Sequence, residues 1–271
     1  MEAISFSNIA GIIITFISLL LALFVYSVKS SNAISNKLFA TYLVLNAIEF
    51  TGFYSFLIFD APTNILVASR EFSYLQMPVL YLYVLSVCYS DFKLQWKHLW
   101  HIVPYIIGNL VMIPRFYLGS VAEKSNLFNN FNSLPESYFS HIALHLQSIV
   151  YLTLSFIVLK RAKKIFKENY SSNTIETYYW LFQLILFTSI LYGFAIVKNV
   201  LKFFGKPTFF EASHNILVIG VLCFVCWYVL KALKYPNLFN GVDSKTKLTI
   251  EFDEEDQKSN IDLKEIEQLI A

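Results

Sequence analysis

His141 and His145 stand four residues apart, so on a helix both imidazoles share one face. Joined by His214 and by a carboxylate from Glu211 or Glu49, they form a donor set that could hold a zinc ion. The carboxylate could then activate a metal-bound water, which is the chemistry of an intramembrane zinc-dependent hydrolase. The same residues also support a binding site. Ionisable groups inside apolar segments cost on the order of 2.5–3.5 kcal/mol each to insert into a bilayer, so their presence marks a function. The second apolar segment carries Asn46 and Glu49; the third carries Arg70, Glu71 and Gln76. The fifth carries His141, His145 and Gln147, the sixth Gln183, Lys198 and Asn199, and the seventh Glu211, His214 and Asn215. Arg70, Glu71, His141, His145, Lys198, Glu211 and His214 fall in one half of their segments, with Glu49 near the middle. A polar cavity assembled from five segments, such as a ligand pocket, follows from that clustering.

Other chemistries lack their residues. A retinal Schiff base requires a lysine in the middle of the last segment, and the lysine there, Lys231, is at its end. The third segment ends Val87-Cys88-Tyr89-Ser90-Asp91, without an acidic-Arg-Tyr triplet, and the seventh has no Asn-Pro-x-x-Tyr. No Walker loop, Gly-rich dinucleotide turn or Gly-x-Ser-x-Gly elbow occurs in a chain with only eight glycines, and no cofactor is expected. Cys223 and Cys226 have C-x-x-C spacing, but no second pair exists and both sit among Leu222, Phe224, Val225 and Trp227. With Cys88 they are expected to be small lipid- or helix-facing residues.

These groups must be positioned by the apolar runs that contain them. The chain is 271 residues long, 56% hydrophobic and 15% charged, with a mean hydropathy of +0.53, against about 25% charged residues in soluble domains. A spanning helix requires about 20 mostly apolar residues. Seven segments qualify or nearly do: 5–28, 38–59, 65–89, 102–118, 138–160, 177–204 and 209–232. The fourth, bounded by Pro104 and Pro114, is the shortest and is expected to end irregularly. The N-terminus has no basic stretch, so residues 5–28 are expected to be a retained span rather than a signal peptide. The expected fold class is all-α: a polytopic membrane protein of seven transmembrane helices over 1–234, followed by a cytoplasmic linker at 235–271.

Basic residues set the orientation. With the N-terminus outside, the inner ends hold eleven: Lys29, Lys37, Lys93, Lys97, Lys160, Arg161, Lys163, Lys164, Lys167, Lys231 and Lys234. The outer ends hold five: Arg115, Lys124, Lys198, Lys202 and Lys206. Trp96, Trp100 and Trp180 lie near the inner boundaries, as interfacial aromatics do. This orientation puts the polar belt in the outer half. Residues 233–271 hold nine of the 19 acids and five of the 21 bases, leaving a body of +6 and a tail of −4. Pro236 ends the last helix, 248–252 alternate as a short strand would, and Asp262 with Glu265 starts a helix with an apolar stripe of Ile261, Leu263, Ile266, Leu269 and Ile270. A helix that short wants a partner.

The third segment and the loop after it read Met77-Pro78-Val79-Leu80-Tyr81-Leu82-Tyr83-Val84, then Tyr89-Ser90-Asp91-Phe92-Lys93-Leu94 and Lys97-His98-Leu99-Trp100-His101-Ile102-Val103-Pro104-Tyr105. This resembles the N-terminal membrane module of bacterial AraC-type transcriptional regulators. Those proteins follow a multi-span domain with a cytoplasmic helix-turn-helix. Pro78, Tyr81, Tyr83, Phe92, Leu94, His101 and Pro104 match the family pattern; the layout agrees over residues 1 to about 240. The resemblance implies a sensor in the bacterial inner membrane that binds a small molecule or envelope signal and relays it through span seven and the tail. The receiver would be a DNA-binding domain starting beyond Ala271, so that the chain is a fragment or a truncated form. No DNA-contacting residue can be carried over. Pro78 removes a backbone hydrogen bond and is the hinge candidate. The lipid bilayer and a second copy of the chain, as a homodimer, are further expected partners. A small-solute transporter is the remaining alternative, disfavoured by the sparse polar groups of the inner half, mainly Asn46 and Gln183.

Overall fold

A computed structural model describes residues 4–29, 33–59, 63–89, 91–168, 172–203 and 207–235. The strand and helix expected in 236–271 lie outside the described residues. Nine α-helices and no strand occur among the described residues. They are α1 (Phe6–Ser27), α2 (Ala33–Thr51), α3 (Asn64–Glu71), α4 (Ser73–Cys88), α5 (Val103–Met112), α6 (Val121–Asn129), α7 (Pro135–Glu168), α8 (Ser172–Phe203) and α9 (Pro207–Lys234).

Local chemistry sets the helix ends and lets polar residues sit inside apolar runs. Ser5 and Asn8 form a reciprocal cap on α1, and the Thr63 hydroxyl accepts from the amide of Leu66 to start α3. Inside the helices, the hydroxyls of Ser27, Thr41, Ser148, Ser155, Thr188 and Ser189 donate to the carbonyl four residues earlier. Each thus brings its own acceptor into an apolar setting.

Five helical stretches are long and apolar enough to cross a membrane: Phe6–Ser27, Trp96–Tyr117, Pro135–Lys163, Glu176–Lys202 and Phe209–Lys234. The chain is therefore a helical protein of the membrane-spanning type. Of the seven segments expected, the second and third do not meet this measure. The second helix carries Asn36, Lys37, Asn46 and Glu49 within 19 residues. The third segment is broken at Phe72 into an eight-residue α3 and a 16-residue α4. Both α2 and α4 are bordered by protein on two sides, and most of α4 is buried. A helix shielded by its neighbours can carry polar groups that a lipid-facing helix cannot. The irregular end expected of the fourth segment is present: Trp96–Ile102 is a 3₁₀ stretch and Ile113–Tyr117, containing Pro114, is a π-helical turn.

Six helices pack as a closed ring in the order α1, α2, α4, α7, α8, α9 and back to α1, and all six contribute to the main core. Side-chain pairs give the register. Thr15 bonds to Ala47 and Asn36 to Val28, so α1 and α2 are antiparallel. Tyr74 reaches Ser140 while Tyr81 lies against Tyr151, so α4 and α7 run parallel. Trp180 stacks on Trp227 and Lys198 lies over Phe210, so α8 and α9 are antiparallel. Gly11 permits the close approach of α1 to the end of α2, because a Cβ there would sit 2.8 Å from the Cβ of Phe53. The fourth segment lies outside the ring with few contacts to it, held in part by His101 Nδ1 against the Tyr151 hydroxyl at 2.5 Å.

The end of the ring where α1 begins is called upper here, and the end where α9 finishes lower. The lower half is filled by aromatic rings. Phe39 stacks on Tyr83 with centroids 4.8 Å apart, and Trp180 meets Phe39 edge-on at 6.0 Å and stacks on Trp227 at 5.5 Å. The Trp180 indole N–H donates to the Tyr83 hydroxyl at 3.1 Å. Trp180 was expected at the interface but is 0% exposed, because a cross-helix partner satisfies its only polar atom. Trp96 and Trp100 are exposed as an interfacial role requires.

Candidate functional site

The upper half of the ring is hollow. Two cavities of about 260 Å³ and about 170 Å³ adjoin there, with Leu144 of α7 in the wall of both. The larger, outer chamber contains Arg70, Glu71, His141 and Lys202, together with Tyr74 and the rings of Phe116, Phe128 and Phe131. The smaller, inner chamber contains Glu49, Gln76, His145, Tyr192, Lys198 and Asn199. Six of the eight candidate ligand-binding residues therefore line two neighbouring cavities, drawn from α2, α3, α7 and α8.

Residues 119–134 roof the outer chamber. The short α6 is started by Ser120 and Glu123, each satisfying the other's backbone. Phe128 and Phe131 pack with Val67, Met112 and Phe116 into a small apolar cluster, and Arg70 places its guanidinium 4.6 Å from the Phe128 ring centre. The ion pair Arg115–Glu136, 3.3 Å, ties the two flanks of this segment together. Glu71 is 6% exposed; its Oε2 has no hydrogen-bond partner and backs onto Gly108 of α5, where a Cβ would lie 2.5 Å from it. Gly108 is thus the residue that leaves space for the carboxylate.

Polar contacts across four helices bound the inner chamber. Gln76 Nε2 donates to Glu49 Oε2 at 2.5 Å, and its Oε1 accepts from the Tyr192 hydroxyl at 3.1 Å. Asn199 Nδ2 lies 2.8 Å from His145 Nε2. Lys198 is within electrostatic reach of Glu49, yet the two do not make a direct ion pair.

Two candidates fall outside this arrangement. Glu211 is exposed near the start of α9 and lines neither cavity. His214 lies between Phe53 and Phe210, stacked at 5.3 Å and 6.1 Å, and reaches the inner chamber only through Phe53, which lines it. The alternative zinc site of His141, His145 and His214 is not assembled: among the described residues no three His, Cys, Asp or Glu side chains come together to hold a metal. The i, i+4 pair does share a helix, with rings 6.4 Å apart, but His214 is engaged with aromatic rings instead.

The hinge candidate Pro78 lies buried within a continuous α4, and the break of the third segment is at Phe72, six residues earlier. Pro78 has no N–H for the carbonyl of Tyr74. That carbonyl accepts instead from Gln147 Nε2 of α7 at 2.8 Å. The defect that the proline creates in one helix is thus closed by a side chain from the next. Of the other residues in the family-like motif, Tyr81 and His101 meet edge-on at 6.1 Å, Tyr83 is in the lower aromatic block, and Phe92 stacks on His98 at 5.4 Å.

Gln76, Asn199 and Gln147 were visible in the sequence as polar residues in apolar runs, but their partners were not. Tyr192 and the phenylalanines Phe116, Phe128 and Phe131 of the outer chamber gave no signal in a chain with 17 tyrosines and 26 phenylalanines. The chain matches no protein-family model, no curated protein and no solved structure.

Proposed function

We propose that this chain is the receptor module of a membrane-bound regulator, crossing the bacterial inner membrane seven times with its N-terminus outside and its tail in the cytoplasm. Its ligand is a small polar molecule or envelope signal that enters the outer half of the ring. The observation that carries this reading is the pair of adjoining cavities in which polar residues of α2, α3, α4, α7 and α8 converge. The aromatic block below favours a site reached from one face, and so a receptor over a transporter, which requires access from both. The counting of basic residues supports the orientation, and the resemblance of residues 77–105 to the AraC-type membrane modules supports a DNA-binding effector as the receiver of the signal.

In this reading the ligand shifts the ring between two packings, and α9, which touches both α1 and α8 and runs into the tail, carries the change downward. A ligand can do so only through different affinities for the two packings. The test is a transcriptional reporter driven by the full-length regulator carrying Glu49→Gln, Arg70→Gln or His145→Ala. Altered signal response is expected in each, and unchanged output in all three would remove the pocket from the mechanism.

A further inference from the structure

We infer that the inner chamber takes a small zwitterion, its ammonium on Glu49 and its carboxylate on Lys198; this rests on the receptor reading above. Glu49 and Lys198 stand in the wall of one cavity of about 170 Å³ but make no direct ion pair. Glu49 uses one oxygen, Oε2, for Gln76, while Oε1 has no partner and is accessible. The Lys198 side chain makes no hydrogen bond among the described residues, and its ammonium is 5.9 Å from the ring centre of Phe210. Beside it, Asn199 Nδ2 donates to His145 Nε2, which leaves the imidazole proton on Nδ1, a buried donor without an acceptor.

The chamber thus offers an open carboxylate oxygen at Glu49 and an open ammonium at Lys198. Opposite charges held apart in a low-dielectric interior lose solvation without gaining the contact that would offset it. A molecule carrying both charges satisfies the two sides together, through charge-assisted hydrogen bonds that a neutral or singly charged ligand makes on one side only. Besides Asn46 and Thr188, much of the remaining wall is apolar, with Phe50, Phe53, Leu191 and Val218, which suits a short hydrocarbon portion. The volume is below the roughly 300–1,000 Å³ of drug-sized pockets, so the ligand is of amino-acid size. A longer molecule would extend past Leu144 into the outer chamber, where Arg70 stands.

The test uses the full chain purified into lipid nanodiscs, probed by thermal shift and by calorimetry with the twenty common L-amino acids, glycine betaine and 4-aminobutyrate. At least one is expected to bind. Removing its amino or its carboxylate group is expected to weaken binding ten-fold or more, as are Glu49→Gln and Lys198→Met in protein whose circular dichroism and unfolding midpoint match the parent. Absence of binding by every probe at 10 mM (roughly 10,000-fold above a Kd of about 1 μM), or binding that survives loss of either charge, overturns the proposal. A reporter that responds to an envelope extract through Glu49 and Arg70, while no zwitterion binds, overturns this inference and leaves the receptor reading in place. A reporter without any response, together with a bound zwitterion, does the reverse.

Discussion

The two ends of the ring are built from the same helices and packed in opposite ways. In the lower half, α2, α4, α8 and α9 meet through Phe39, Tyr83, Trp180 and Trp227, and Trp180 and Tyr83 are fully or almost fully buried. In the upper half three of these helices, α2, α4 and α8, hold Glu49, Gln76, Tyr192 and Lys198 around a cavity, with apolar residues of α9 and with α7 completing its wall. Close-packed aromatics resist displacement, because each carries a large contact area and a fixed geometry. A cavity walled by hydrogen-bonding side chains can exchange partners when something enters. The contrast fits a bundle pinned at one end and adaptable at the other, which is what the proposed relay of a signal along its length requires.

Five substitutions sharpen or break this comparison. The largest effect is expected at the lower end. Trp180→Ala removes the stacking on Trp227 and the donor to Tyr83, and should lower stability by about 3 kcal/mol in an unfolding titration. A loss below about 0.5 kcal/mol, as for ordinary surface changes, would mean that the aromatic block pins nothing. The next effect is at the junction of the halves. Gln147→Leu leaves the Tyr74 carbonyl without a donor and should cost about 1–3 kcal/mol. Pro78→Ala restores an N–H to that carbonyl, so the double variant should be more stable than the sum of the single effects, by on the order of 1 kcal/mol in a double-mutant cycle. Strict additivity would show that the proline and the glutamine act independently.

The upper end should show the opposite balance. Glu49→Gln keeps an oxygen for Gln76, so stability should change by less than about 1 kcal/mol, while the response of a full-length reporter shifts about ten-fold. A stability loss as large as that of Trp180→Ala would make Glu49 a structural residue and erase the contrast. The smallest effect is in the roof. The backbone N–H of Ser120, and then its hydroxyl, hold the exposed Glu123 carboxyl below the usual carboxylate range. The stability that this cap contributes is present above the unfolded value of about 4.3 and is lost as pH falls through the depressed folded value. An NMR titration should therefore place Glu123 below a free glutamate, and Ser120→Ala should raise it towards that value.

Much of this arrangement was legible from residue types alone, and the failures have physical causes. Burial cost alone singled out Glu49, Arg70, Glu71, His141, His145 and Lys198, the six that line the two cavities, since an ionisable group in an apolar run is costly. The same logic also singles out Glu211, which is exposed and lines neither cavity, because it measures distance along a helix and not the direction in which a side chain points. It failed for Trp180 because an indole serves equally at an interface and in a core, and the choice depends on whether a partner such as Tyr83 lies within reach. Continuous hydropathy predicts one helix over the third segment, and hydropathy does not register the break at Phe72. The zinc reading rested on helix periodicity for two histidines and on nothing for the third.

Composition and spacing by themselves determined that this protein is helical, that its helices are of membrane-spanning character, and that its polar residues gather towards one end. Those properties are local: they depend on hydropathy over about 20 residues and on the cost of each polar group in an apolar setting. Tertiary structure alone decided that six helices close into a ring with the fourth segment outside it, and that Leu144 divides the polar space in two. It also decided that Gln147 closes the gap left by Pro78 and that Glu49 and Lys198 share a chamber without touching. Those facts depend on which faces of which helices meet, and helix-to-helix register is a property of the whole packing rather than of any one segment.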